Sequence, residues 1–246
     1  MLLSIYTGRT GMVAQQEKMT TLSNNIANSN TNSYKKVDVS FSENLSQVTN
    51  RKNGLPFTSE NPIIEGGGVR ASGIFRNFIE GPFMQTGIDT DISIVGEGYF
   101  KVINGSGEEF YTRDGSFNID VNGNFIHSAS GMKLEIEGFN PENIKQPVSI
   151  SKDGVISHEE DIIGKIKIYD FAYKNSMISK GDNVFTAGDR PLEANGEIAQ
   201  GYIEGSNVNM VDELTNMITV QRSYEFNSRS IKASDEMWQL ANNLKK

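Results

Sequence analysis

The sequence predicts an α+β fold: terminal N- and C-helices that form an assembly coiled coil, and a central antiparallel all-β domain joined to the first helix by an extended connecting arm. Three observations predict it. Apolar residues recur at every seventh position near both ends of the chain. All six prolines and 22 of the 24 glycines fall between Gly54 and Gly205. Within that middle stretch, short β-patterned runs alternate with Asn-Gly and Asp-Gly turn signals. The expected boundaries are residues 1–33 for an N-terminal assembly helix and its Asn-rich motif, 34–73 for the arm and a Gly-rich linker, 74–206 for the β-domain, and 207–246 for the C-terminal assembly helix.

The first helix is read from Ile5, Met12, Met19 and Ile26, which lie along one face, with Leu2, Leu22 and Ala27 flanking them. Gly8 and Gly11 each weaken it by roughly 1 kcal/mol relative to alanine, as expected of a helix that forms only when packed. Between Asn24 and Ser33 there are five asparagines and three Ser/Thr residues, cap and turn formers that end the helix. Ser23, Asn24, Asn25, Asn28, Asn30 and Thr31 are candidate capping and contact residues, because side-chain amides at this density can hydrogen-bond neighbouring backbone. A polar linker is the blander interpretation.

Val37, Val39 and Phe41 alternate in the arm, and Thr49 to Gly68 reads as a loop around Asn53-Gly54, Pro56, Pro62 and the Gly66-Gly67-Gly68 run. That run lacks the spacing of a phosphate-binding or dinucleotide-binding loop. The β-domain is read from YFKVI, FYTRDGSFNID, NFIHS, KLEIEGF and KIKIYDFAY, separated by turns such as Asn104-Gly105 and Asn122-Gly123. Its acidic residues are expected mostly outside.

In the last helix Met210, Met217, Tyr224, Ile231 and Trp238 stack along one face. The companion row Leu214, Gln221, Ser228 and Asp235 is mostly polar, so only Leu214 extends the seam. Asn209 is the expected N-cap, Asp212 and Glu213 suit the first turn, and Lys245 and Lys246 suit the end. The segment could lie on its own domain, or it could be built for several neighbours at once.

The net charge of −8 is uneven: residues 207–246 carry five groups of each sign, residues 1–50 four basic and three acidic groups, and the middle 14 basic against 23 acidic. The acidic middle argues against nucleic acid. With no cysteine, disulfides and thiolate sites are excluded. His127 and His158 have no ligand partners at metal-site spacing, and no nucleophile elbow or cofactor motif occurs, so no metal, cofactor or enzyme activity is expected. Nothing approaches a membrane span, and Met1 to Gly11 lacks the apolar core of a secretory signal, which makes the cytoplasm the default location.

Three motifs in order carry a family resemblance. They are LLSIYTGRTGMVAQQEKMTTLSNNIANSNTNSYKK at the start, DISIVGEGYFKV with FYTRDGSFNIDVNGNFI in the middle, and QGYIEGSNVNMVDELTNMITVQRSYEFNSRSIKASDEM at the end. The chain resembles the bacterial flagellar basal-body rod and hook protein family. The resemblance implies a structural axial subunit of the flagellar rod, polymerised into a hollow helical tube through its terminal helices and transmitting torque. It also implies other rod subunits and the hook protein as neighbours, delivery by the flagellar type III export apparatus without a cleavable signal peptide, and residence in the basal body without direct membrane insertion. It marks Asn207, Asn209, Gln221 and Arg222, in the EGSNVN and QRSYE segments, as further contact residues. A hook subunit usually has an additional outer domain, for which 246 residues leave little room. Rod subunits, the distal one before the proximal one, are therefore the nearer match. A secreted coiled-coil adhesin or effector is the reading from another class.

Overall fold

The computed structural model describes residues 2–44, 47–49, 63–139, 148–158 and 161–244. It has an α-helix near each end and antiparallel strands between them. The chain divides into two compact units that alternate along the sequence. One comprises Met1–Ala27, Val37–Asn77 and Asn209–Lys246, and the other Asn28–Lys36 and Phe78–Val208.

The helical unit is built on α1 (Leu2–Ala27) and α2 (Met210–Asn243). With 34 residues, α2 is about 50 Å long at the ordinary rise per residue. The Asn209 side chain accepts the Val211 N–H and so caps the helix, and Asp212 and Glu213 occupy its first turn. Lys245 and Lys246 lie outside the described residues, as do Asn53-Gly54, Pro56 and Pro62 of the expected loop.

The stretch expected as an extended arm contains a paired ribbon. β1 (Val37–Glu43) runs antiparallel to a distant strand, Val69–Arg76, from Val37 opposite Arg76 to Glu43 opposite Val69, with a register shift between Ser40 and Phe41. Two shorter strands, Gln47–Thr49 and Ile63–Glu65, pair in the same sense. Both strands of the ribbon pack on α1, and Lys18 forms an ion pair with Asp38.

The glycines that weaken α1 also let α2 come close. A Cβ on Gly8 would stand 2.8 Å from Cγ1 of Ile231, and one on Gly11 would stand 3.0 Å from the Asn227 amide. Their cost in helix propensity is the cost of a close approach that any side chain would obstruct.

In the β unit the expected runs form strands. Tyr99–Ile103 pairs with Glu109–Thr112, Phe117–Ile119 with Phe125–His127, and Val155–His158 with Asp161–Ile166. Residues of these strands and of Ile92–Val95 and Glu197–Gln200 make one core that includes Ile92, Ile94, Phe100, Phe117, Ile156 and Ile198. Phe100 and Phe117 meet edge to face at 5.7 Å, and Tyr111 and Phe171 at 4.7 Å. Between the two helices the described residues hold only one short 3-10 turn, Lys174–Ser176.

Three carboxylates depart from the acidic-outside pattern: Asp91, Asp114 and Glu204 are buried. Asp114 closes the TRDGS turn by accepting the Ser116 N–H and hydroxyl, and its other oxygen lies 3.3 Å from Nε2 of the buried His127. The Ser130 N–H donates to Nδ1 of that ring, and the Ser130 hydroxyl lies 2.7 Å from the same nitrogen.

Glu204 is fully enclosed. One carboxylate oxygen accepts from Lys35 Nζ at 2.5 Å and from the Gly81 N–H at 2.8 Å, and the other accepts from Arg113 Nε at 2.6 Å. The Arg113 guanidinium also reaches Glu80 at 2.7 Å and the carbonyls of Ile94, Gly96 and Gly98. Burial pulls the Lys35 ammonium below its ordinary pKa, while Glu204 pulls it upward. Lys35, Arg113 and Glu204 thus form a buried network, and the exposed Glu80 carboxylate closes it at the surface, so that each charge faces its opposite.

Glu204→Ala should cost about 3–5 kcal/mol, because it removes the carboxylate that the buried Lys35 and Arg113 share. A fall in the unfolding midpoint followed by near-UV circular dichroism will show it. Gly8→Leu should lose about 1–3 kcal/mol through overpacking against Ile231. Far-UV dichroism should then lose helix signal before strand signal on heating.

Candidate assembly interface

The surfaces that could carry assembly belong to the two helices, and they begin from how α1 and α2 face each other. On α2 the fully buried residues are Glu213, Val220 and Ser234, and Asn227 sits against Gly11 on the same row. These four are seven residues apart, so the packed row is a heptad row adjoining the expected stripe. On α1 the buried positions are Ala14, Thr21, Leu22 and Asn25. Among the expected seam residues Leu22 is buried, while Ile5, Met12, Met19, Ile26, Met217, Tyr224 and Ile231 are half-buried and flank the packed rows. Met210, Leu214 and Trp238 are exposed in the single chain, at 42%, 45% and 45%.

A packed row of Glu, Val, Asn and Ser needs its polar atoms satisfied. Asn25 does this for Oε2 of Glu213. Its amide nitrogen donates to Glu213 Oε2 at 3.0 Å and to the Val37 carbonyl at 2.8 Å, and its amide oxygen accepts the Val37 N–H at 3.0 Å. One enclosed side chain therefore ties the end of α1 to the first residue of the ribbon and to the first turn of α2. The Ser234 hydroxyl turns back to the Ser230 carbonyl at 2.9 Å.

The other motif residues divide by location. Asn28 and Thr31 form the turn after α1, with Thr31 donating to Asn28 through both its N–H and its hydroxyl. Ser23, Asn24 and Asn30 are exposed. Asn207 works inside the β unit: its amide oxygen accepts the Lys36 N–H at 2.7 Å and its nitrogen donates to the Ile79 carbonyl at 2.9 Å. Gln221 and Arg222 point outward from α2.

Sequence reasoning did not single out Glu213 and Val220 as packed positions, or Glu204 and Arg113 as a charge centre. An acidic residue in the first turn of a helix reads as a dipole partner, and only the fold brings Asn25 to it.

Further apolar residues lie off the packed row of α2. Val211, Ile218, Phe226, Met237, Leu240 and Leu244 are exposed; at 3.6 residues per turn Val211 and Ile218 fall opposite Glu213 and Val220, Phe226 and Leu240 lie roughly a third of a turn from the packed row, and Met237 and Leu244 stand nearer to it. In the single chain α2 thus buries one face and leaves a second apolar face open. Among the described residues no group of acidic, histidine or cysteine side chains could hold a metal ion.

Family models match three stretches: the flagella basal body rod protein family at residues 5–35, the flagellar hook protein FlgE/F/G D1 domain at 93–158, and the C-terminal domain of flagellar basal body rod FlgEFG proteins at 199–244. The flagellar basal-body rod protein FlgG of Borreliella burgdorferi is 35% identical, with both chains covered in full. That of Bacillus subtilis is 32% identical, again over the whole of both chains. FlgF of Caulobacter vibrioides is 31% identical over 90% of this chain and 89% of its own. The chain belongs to the flagellar basal-body rod protein family and is a structural subunit of the rod, not an enzyme.

Proposed function

We propose that copies of this chain polymerise into a hollow helical tube through α1 and α2, and that the tube transmits torque. Other rod subunits and the hook protein are its axial neighbours, and the flagellar type III export apparatus delivers it without a cleavable signal peptide. The observation that carries this reading is the second apolar face of α2. A long helix that has already buried one face on its partner has no reason within the single chain to display Val211, Ile218 and Phe226. Neighbouring copies supply the reason.

The expected seam fits the same scheme. Half-buried Met217, Tyr224 and Ile231 sit at the margin of the helix pair, where a neighbouring copy completes their burial. Exposed Met210, Leu214 and Trp238 wait for one entirely. The distal position in the rod is the preferred one. Matches to FlgG proteins that span the whole of both chains support this preference.

Two variants separate folding of the subunit from its assembly. The double substitution Ile218→Asp with Phe226→Asp lies on the open face and should change subunit stability by no more than about 0.5 kcal/mol. It should nevertheless abolish polymerisation in sedimentation assays and motility in a complemented deletion strain; normal assembly of this variant would exclude the open face as an interface. Asn25→Ala leaves Glu213 and the Val37 backbone without their shared partner and should lower subunit stability by about 1–3 kcal/mol. Denaturant titration of the unassembled chain measures it.

A further inference from the structure

We propose that Asn104 is a chemical modification site, where the main-chain nitrogen of Gly105 attacks the side-chain amide and converts the residue to aspartate or isoaspartate. The reaction joins the Gly105 nitrogen to Cγ of Asn104 and breaks the Cγ–Nδ2 bond. The Gly105 amide proton passes to solvent, ammonia leaves, and water then opens the succinimide ring at either carbonyl. Asparagine plus water therefore gives ammonia plus aspartate or isoaspartate.

Three Asn-Gly pairs lie among the described residues, and the fold treats them differently. In the hairpin between Tyr99–Ile103 and Glu109–Thr112, the backbone of Asn104 is fixed at both ends. Its N–H donates to Glu108 at 3.0 Å, and its carbonyl accepts from Gly107 at 2.9 Å. The two groups that must react are unrestrained: neither the Asn104 side chain nor the Gly105 N–H has a hydrogen-bond partner among the described residues. Gly105 is exposed, with nothing within 4 Å of where its Cβ would stand.

At Asn122-Gly123 both reacting groups are held by Asp120. The Asn122 amide donates to Asp120 Oδ2 at 3.1 Å and the Gly123 N–H to the Asp120 carbonyl at 2.8 Å. At Asn195-Gly196 the glycine is wedged, because a Cβ there would stand 2.8 Å from both the Glu97 carbonyl and the Ile94 side chain. Ring closure needs the glycine nitrogen to give up its proton and swing over the asparagine carbon, and only the first pair permits both. An isoaspartate at position 104 would route the main chain through the former side chain, and the carbonyl that accepts from Gly107 would become a free carboxylate.

The test incubates the folded full chain at mildly alkaline pH and follows amide-to-acid conversion peptide by peptide with mass spectrometry, using isoaspartyl methyltransferase labelling to distinguish the products. Asn104 should convert about fivefold faster than Asn122, the kinetic equivalent of one net hydrogen bond of about 1 kcal/mol. In guanidinium chloride sufficient to unfold the chain the three rates should converge. Gly105→Ala should slow conversion at Asn104 and leave the other two sites unchanged. Conversion at Asn122 or Asn195 as fast as at Asn104 in the folded chain, or a ranking that survives unfolding, overturns the proposal. Asn53-Gly54 lies outside the described residues and is followed as its own peptide.

Discussion

The enclosed carboxylate of Glu204 is the constraint on which the β unit depends. Taking one carboxylate out of water costs several kcal/mol unless its partners are nearly ideal. Here Lys35, Arg113 and the Gly81 N–H supply them, and Glu80 answers the far side of the guanidinium. Lys35 comes from the segment after α1, Arg113 from the turn that follows Glu109–Thr112, and Glu204 from the last strand. Because none of the charges can be left alone in the interior, these three pieces of chain must arrive together. A hydrophobic core of isoleucines and phenylalanines tolerates some sliding; a buried charge network permits one arrangement.

The helical unit solves a related problem with a side-chain amide. Asn25 offers the Val37 backbone a donor and an acceptor, much as a neighbouring strand would, and uses the same amide nitrogen to meet Glu213. The row that α2 turns towards α1 is consequently polar and small, Glu213 with Asn227 and Ser234 around a single Val220, and Gly8 and Gly11 set how close the helices come. Large apolar residues would have strengthened this pair. Val211 and Ile218 stand on the opposite face instead, exposed, so the internal contact sets register and leaves that apolar area uncovered in the single chain.

Much of this was legible in the sequence, and the exceptions have physical causes. Helix ends, the Asn209 cap, the β-patterned runs and the concentration of glycine and proline in the middle are local signals, and they appear where local chemistry places them. The packed rows were not legible, because counting apolar residues finds Met210, Met217, Tyr224 and Ile231, whereas close packing follows the small residues beside them. The ribbon was hidden for another reason: Val37 and Arg76 are register partners far apart in sequence. The Glu204 network is invisible to any short window, since each member looks like an ordinary surface charge until the fold removes the solvent. For the same reason residues 28–36, which sequence divides between a helix motif and an arm, belong with the β unit.

The helical unit takes its segments from the beginning, an early stretch and the end of the chain. Asn25 and Glu213, which meet at 3.0 Å, are 188 positions apart. A copy that stops anywhere before Asn209 can build neither the helix pair nor the open apolar face of α2, however well its β strands fold. The open apolar residues of α2 are therefore presented only by a chain made to its last helix: the topology works as a length check, withholding that surface from incomplete chains.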